Sequence, residues 1–214
     1  MQKKSGFLIV IWSVLLGLAS CASQTQLYER WHDETFAGQK LEKILVIGII
    51  KDDIRRRALE SAFVTAVESK GTKGIAGYTL LPDNGKLDNK EGIVAAVKKA
   101  GADSVLITSF KGVIEKERKV PPRVDYVPGA GGRYGPYGYG YRGYYGSRYE
   151  AVYQPGYTTT DTIVQLETRI YSAKSEKLIW AGKTKSVNVS SGDEIIKQLV
   201  SLVVHDMKKN GLIQ

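Results

Sequence analysis

The chain has 214 residues, 31 lysines and arginines against 22 acidic residues, and a formal net charge of +9. A single cysteine excludes any internal disulfide framework, and two histidines far apart in sequence leave a metal site little beyond carboxylates. The length allows one domain with a substantial core, and the positive excess fits either anionic partners such as lipid, cell-wall polymer or nucleic acid, or simply a soluble basic surface.

At the N-terminus, Lys3 and Lys4 precede an apolar run from Phe7 to Leu18, which ends in Leu18-Ala19-Ser20-Cys21. A charged start, a short apolar core and a small-residue cleavage site make a secretory signal. The run is about a dozen residues, short of the roughly 20 that a membrane-spanning helix needs. Leu-Ala-Ser-Cys resembles the lipobox of bacterial lipoproteins. That resemblance implies cleavage after Ser20 and acylation of Cys21, which also explains an unpaired thiol in an exported chain. Several acyl chains, at about 0.8 kcal/mol per buried methylene, give a durable membrane anchor. Ala22 stands where an Asp favours inner-membrane retention in similar Gram-negative lipoproteins. The expected location is therefore the periplasmic face of the outer membrane. The mature chain keeps about 194 residues and a charge of +7. Export removes nucleic acid from the expected partners.

Residues 21–40 read as a lipidated N-terminus and tether, with Tyr28, Trp31 and Phe36 packing its later part. Lys43 to Ile49 is a short continuous β-rich run and predicts a buried parallel strand. Asp52 or Asp53 caps the next helix, whose stripe is Leu59, Ala62, Phe63, Ala66 and Val67, and Gly71 ends it. Ala76 to Leu81 predicts a second strand, stopped by the turn cluster Pro82-Asp83-Asn84-Gly85. Asp88 and Glu91 resemble a capping box before Ile93, Val94, Val97 and Ala100, with Gly101 closing that helix. Ser104 to Phe110 predicts a third strand. Strand, helix, strand, helix, strand implies parallel pairing through crossover helices.

Val164, Leu166, Thr168 and Ile170 alternate with polar residues, as in a strand with one wet face. Lys174-Ser175-Glu176 is a turn, and Leu178 to Val189 returns with Trp180 inward. Gly192 to Lys209 predicts a closing helix, acidic at its start and basic at its end, as the helix dipole favours. The expected fold class is α/β: a two- or three-layer βαβαβ core with an added antiparallel hairpin and a C-terminal helix. The expected organisation is a signal peptide over 1–20, the tether over 21–40 and a single domain over 41–214.

Residues 125–157 interrupt this plan. Ten of the chain's 13 tyrosines lie between Tyr126 and Tyr157, interleaved with glycines and with Arg133, Arg142 and Arg148. Such a long insert is functional or disordered in most compact domains. One reading is a mobile low-complexity loop. Another is a binding loop in which Tyr134, Tyr137, Tyr139, Tyr141, Tyr144 and Tyr145 stack on sugars or rings while Arg142 and Arg148 pair with anions. That suits peptidoglycan, another carbohydrate or an envelope protein. Gly138 to Gly143 matches the dinucleotide fingerprint in letters only, for no strand precedes it and no helix follows.

No nucleophile elbow, phosphate loop or paired-histidine helix is present, and no cofactor is expected. The acidic and basic residues Asp52, Asp53, Arg56, Arg57 and Glu60 could line a cleft at the strand ends. The competing reading is a helix cap with i,i+3 and i,i+4 ion pairs. The whole mature chain resembles a family of uncharacterised Gram-negative lipoproteins through Lys43-Ile44-Leu45-Val46-Ile47-Gly48, Arg56-Arg57-x-x-Glu60-x-x-Phe63, Gly101 to Ile107, Tyr153-x-Pro155-Gly156-Tyr157 and Leu178-Ile179-Trp180. Its strand-helix order is similar to the N-terminal domain of TolB and to CsgG-like periplasmic domains. The family implies no reaction. The expected function is a non-catalytic envelope binding or assembly module anchored through Cys21. The alternatives are carbohydrate binding through the Tyr/Gly/Arg loop and an enzyme with a cleft near Asp52 and Asp53.

Overall fold

The structure is a computed structural model and describes residues 25–36, 39–81, 90–128 and 149–214. The described residues form two compact units. One holds the residues up to Gly112 together with Val164–Gln214, and the other is Val113–Ile163. The expectation was a single domain over 41–214, and the second unit coincides with the region of the expected insert.

The first unit is α/β and three-layered. Its strands are β1 (Thr25–His32), β2 (Lys43–Ile49), β3 (Lys73–Ala76), β4 (Ser104–Val120), β7 (Tyr157–Ser172) and β8 (Leu178–Val187), in the sheet order β1-β8-β7-β4-β2-β3. β4 and β7 are shared with the second unit. β2 pairs in parallel with β3 and with β4, as its continuous apolar run requires. Alternate residues of β2 enter opposite layers. Ile44 and Val46 face α1 (Asp53–Glu68) and α3 (Gly192–Lys209) in one cluster with Leu59, Phe63, Leu199 and Met207. Leu45 and Ile47 face α2 (Lys90–Ala100) in a second cluster with Ala96 and Ala100. Fully burying a side chain such as Phe63 or Leu59 contributes about 1.5–3 kcal/mol.

Helix ends follow the sequence signals. Asp52 accepts hydrogen bonds from Ile54 N and Arg55 N, and Ser191 accepts one from Glu194 N. Gly71 and Gly101 follow α1 and α2 with φ of +78° and +57°, a conformation that a Cβ disfavours. The turn cluster at 82–85 and the cap at Asp88 lie outside the described residues.

Three strands differ from expectation. Thr25–His32, expected in the tether, is the edge strand β1, antiparallel to β8, with a bulge at Tyr28. The expected strand over 76–81 lies earlier, at Lys73–Ala76, because the chain turns into a 3₁₀ segment at Gly77–Thr79. β4 runs ten residues past Phe110 to Val120.

In the second unit, β5 (Arg123–Pro128) and β6 (Tyr149–Gln154) form an antiparallel two-stranded sheet. Arg118 and Asp161 pair at 3.4 Å. No residue of this unit is buried among those described.

Candidate functional site

Three places bear on function, and the polar cluster on α1 is the first. Arg56 and Glu60 are one helical turn apart and both fully buried, with Arg56 Nε donating to Glu60 Oε1 at 3.0 Å. Glu60 Oε1 also accepts from Gly48 N at 2.9 Å, and its Oε2 accepts from Tyr78 N at 2.6 Å. Arg56 Nη2 donates to Leu81 O at 2.7 Å. The pair therefore ties α1 to the chain leaving β2 and β3. Asp52 is used as the helix cap, and Asp53 pairs with Arg57 at 2.7 Å. The geometry thus matches a cap, a surface ion pair and an internal brace. Sequence reasoning places these residues together but misses the burial. The available signal is their spacing: 56, 60, 63 and 67 form a single stripe, and Phe63 and Val67 belong to the core.

A second brace sits under β8. Trp180 is fully buried and donates from Nε1 to Asp206 Oδ2 at 2.8 Å, while Arg30 of β1 reaches Asp206 Oδ1 at 3.1 Å. β1 is thereby locked to α3.

The second place is the half of the sheet formed by β7, β8 and β1. One face of this half carries Trp180, Thr184 and Leu166 toward α3. The register places Glu29 opposite Lys183 and Trp31 opposite Ala181 on the other face. Tyr28 and Trp31 are 45% and 50% exposed there. Lys183 Nζ donates to both carboxylate oxygens of Glu29, at 2.9 and 3.0 Å, which holds the ammonium above its ordinary value. Lys185 Nζ lies 5.7 Å from the centre of the Tyr28 ring. Glu167 is largely buried between Arg169, at 2.9 Å, and Lys111, at 3.2 Å. Burial pushes its carboxyl up, and the hydrogen bonds and charges of those two cations outweigh this, so it sits below the usual glutamate range. Beside α2, a groove of about 520 Å³ is lined by Ile93, Val94, Val97, Ile107 and Tyr171.

The third place is the β5–β6 ribbon. Its register pairs Val124 with Tyr153 and Tyr126 with Ala151, so these four positions share one face. The opposite face carries Arg123, Asp125, Val127, Val152 and Gln154, with Arg123 and Asp125 paired at 3.2 Å. Tyr126 and Tyr153 are 71% and 64% exposed. The last pair of the ribbon, Pro128 with Tyr149, brings together the two ends of the Tyr/Gly-rich segment.

Cys21 and the loop residues Tyr134, Tyr137, Tyr139, Tyr141, Arg142, Tyr144, Tyr145 and Arg148 lie outside the described residues. Among the described residues, no group of three or more His, Cys, Asp or Glu side chains could hold a metal ion, and no helix is long and apolar enough to cross a membrane.

No protein-family model matches the chain, and neither does any curated protein. Solved structures similar to this chain include PelC of Paraburkholderia phytofirmans, a dodecamer, at 9% identity over 84% of this chain and 95% of that one, with a TM-score of 0.43. Lipoprotein GNA1162 of Neisseria meningitidis is 14% identical over 78% of this chain and 99% of that one, with a TM-score of 0.41. A PDZ domain protein of Parabacteroides distasonis is 11% identical over 94% of this chain and 40% of that one, with a TM-score of 0.35.

Proposed function

We propose that this chain is an envelope lipoprotein, acylated at Cys21 and held at the periplasmic face of the outer membrane. It acts as a non-catalytic binding or assembly module, and the β5–β6 ribbon with the segment it encloses is the binding element. The observation that carries this reading is the ribbon's exposed ring-bearing face of Val124, Tyr126 and Tyr153, in a unit with no buried residue among those described. A two-stranded ribbon is marginally stable alone in water, and exposed rings gain free energy when a partner covers them. Tyrosine faces stack on sugar rings and on other aromatic groups, so peptidoglycan or an envelope protein fits this chemistry. The pairing of Pro128 with Tyr149 supports the loop reading, since the tyrosine- and arginine-bearing segment joins these two positions in the sequence.

Deletion of residues 129–146, and separately Tyr126→Ala with Tyr153→Ala, tests this. Both variants are expected to lose co-sedimentation with purified sacculi, or crosslinks to an envelope protein in intact cells, while retaining the circular dichroism of the parent. Parent-like capture in both assays would contradict the binding role of the ribbon and loop.

A further inference from the structure

We propose that the open half-face formed by β1, β8 and β7 is a membrane-docking surface, seated on the head groups of an anionic phospholipid bilayer. The inference rests on reading Cys21 as the acylated residue.

Chain length is the first argument. β1 begins at Thr25, four residues after Cys21. Each peptide step spans at most about 3.8 Å, so a lipid on Cys21 holds the start of β1 within roughly 15 Å of the bilayer. No long spacer lifts the domain away, and β1 is the first element to leave the anchor. β1 also lies at the edge of its sheet, where no further strand among the described residues covers its outer side.

Surface chemistry is the second argument. Tyr28 and Trp31, both about half exposed, stand on β1 itself. Tyr and Trp concentrate at bilayer interfaces because one end of the ring system is apolar and the other polar. Ala181, opposite Trp31, is small and leaves that ring room to reach outward. Lys185 lies beside the Tyr28 ring, and the half-sheet also carries Lys183, Arg169 and, on the adjoining β4, Lys111, against the two carboxylates of Glu29 and Glu167. Excess cationic charge beside aromatic rings matches an anionic, amphipathic plane. The opposite face of this half-sheet is covered by α3, so the open face is the one left for the bilayer.

The test uses the full mature chain with Cys21→Ser, made without its signal, so that no acyl group contributes. It is expected to co-sediment with phosphatidylethanolamine vesicles containing phosphatidylglycerol, and not with phosphatidylcholine vesicles. Lys183→Ala and Lys185→Ala are each expected to weaken binding about fivefold. Trp31 and Trp180 are the two tryptophans of the mature chain. Trp31 emission is expected to shift to the blue and to be quenched by brominated lipid, with a Trp31→Phe chain reporting the buried Trp180 alone. Absent or equal binding on the two vesicle types, binding unaffected by the lysine substitutions, or an unquenched Trp31 would overturn the proposal. So would a blue shift of Trp31 without vesicles that rises with protein concentration, which would mean that a second copy covers the face. The mass of Cys21 in the chain extracted from cells reports on the anchor separately. An unmodified cysteine with vesicle binding intact would overturn the anchor and support the face.

Discussion

Arg56 and Glu60 show how position decides the worth of a charged pair. In water an i,i+4 ion pair contributes a few tenths of a kcal/mol, and such a pair exists one residue away between Asp53 and Arg57. Inside the protein, removing Glu60 takes the acceptor from buried Arg56 Nε and also from the backbone N–H groups of Gly48 and Tyr78. Glu60→Ala is therefore expected to cost about 3–5 kcal/mol, and Asp53→Ala below about 1 kcal/mol, in urea unfolding. Similar costs for the two would contradict the brace. Glu167 makes a pH-dependent contribution. Its folded value is depressed, so the stability it confers is present above its unfolded value and is lost as pH falls through the folded one. Glu167→Gln is expected to flatten the acid limb of the stability curve, read as the urea midpoint against pH, and to leave its alkaline side unchanged. The sequence shows Glu60, Asp53 and Glu167 but distinguishes none by burial, because burial depends on which stripe the helix or strand turns inward.

Among the elements, α1 packs on β3 through Gly74. A Cβ there would lie 2.9 Å from the backbone Cα of Val64, which cannot move without shifting the helix. Gly74→Ala is expected to destabilise by about 1–3 kcal/mol, lowering the urea midpoint with the slope retained. A neutral substitution would mean that the α1–β3 contact is looser than described. The elements most legible in the sequence are those with a strong, uninterrupted pattern. β2 appears at Lys43–Ile49 and α3 at Gly192–Lys209, as their apolar run and broad stripe require. β1 is illegible for a physical reason: it is an edge strand with charged and aromatic residues in water, and the bulge at Tyr28 breaks its alternation. The extension of β4 is hidden likewise, since the charged run Glu115 to Lys119 pairs through its backbone while its side chains stay solvated. The ribbon's apolar face follows from the register across the insert, which no local pattern specifies.

For the whole molecule, charge, anchor and exposed aromatic surface belong to one account. The chain is positive, its first described strand begins four residues from Cys21, and among the described residues exposed rings stand on β1 and on the ribbon, with Phe110 and Tyr157 on β4 and β7. A lipid at Cys21 gives both a setting: one bilayer leaflet within reach of β1, and the envelope polymers and proteins of the periplasm for the ribbon. The central claim is thus the acylation of Cys21, and mass spectrometry of the chain extracted from cell membranes tests it most directly. The expected result is an N-terminal peptide beginning at Cys21 and carrying acyl groups on its sulfur and amino group. A mature chain beginning elsewhere, or one with Cys21 unmodified, would contradict it.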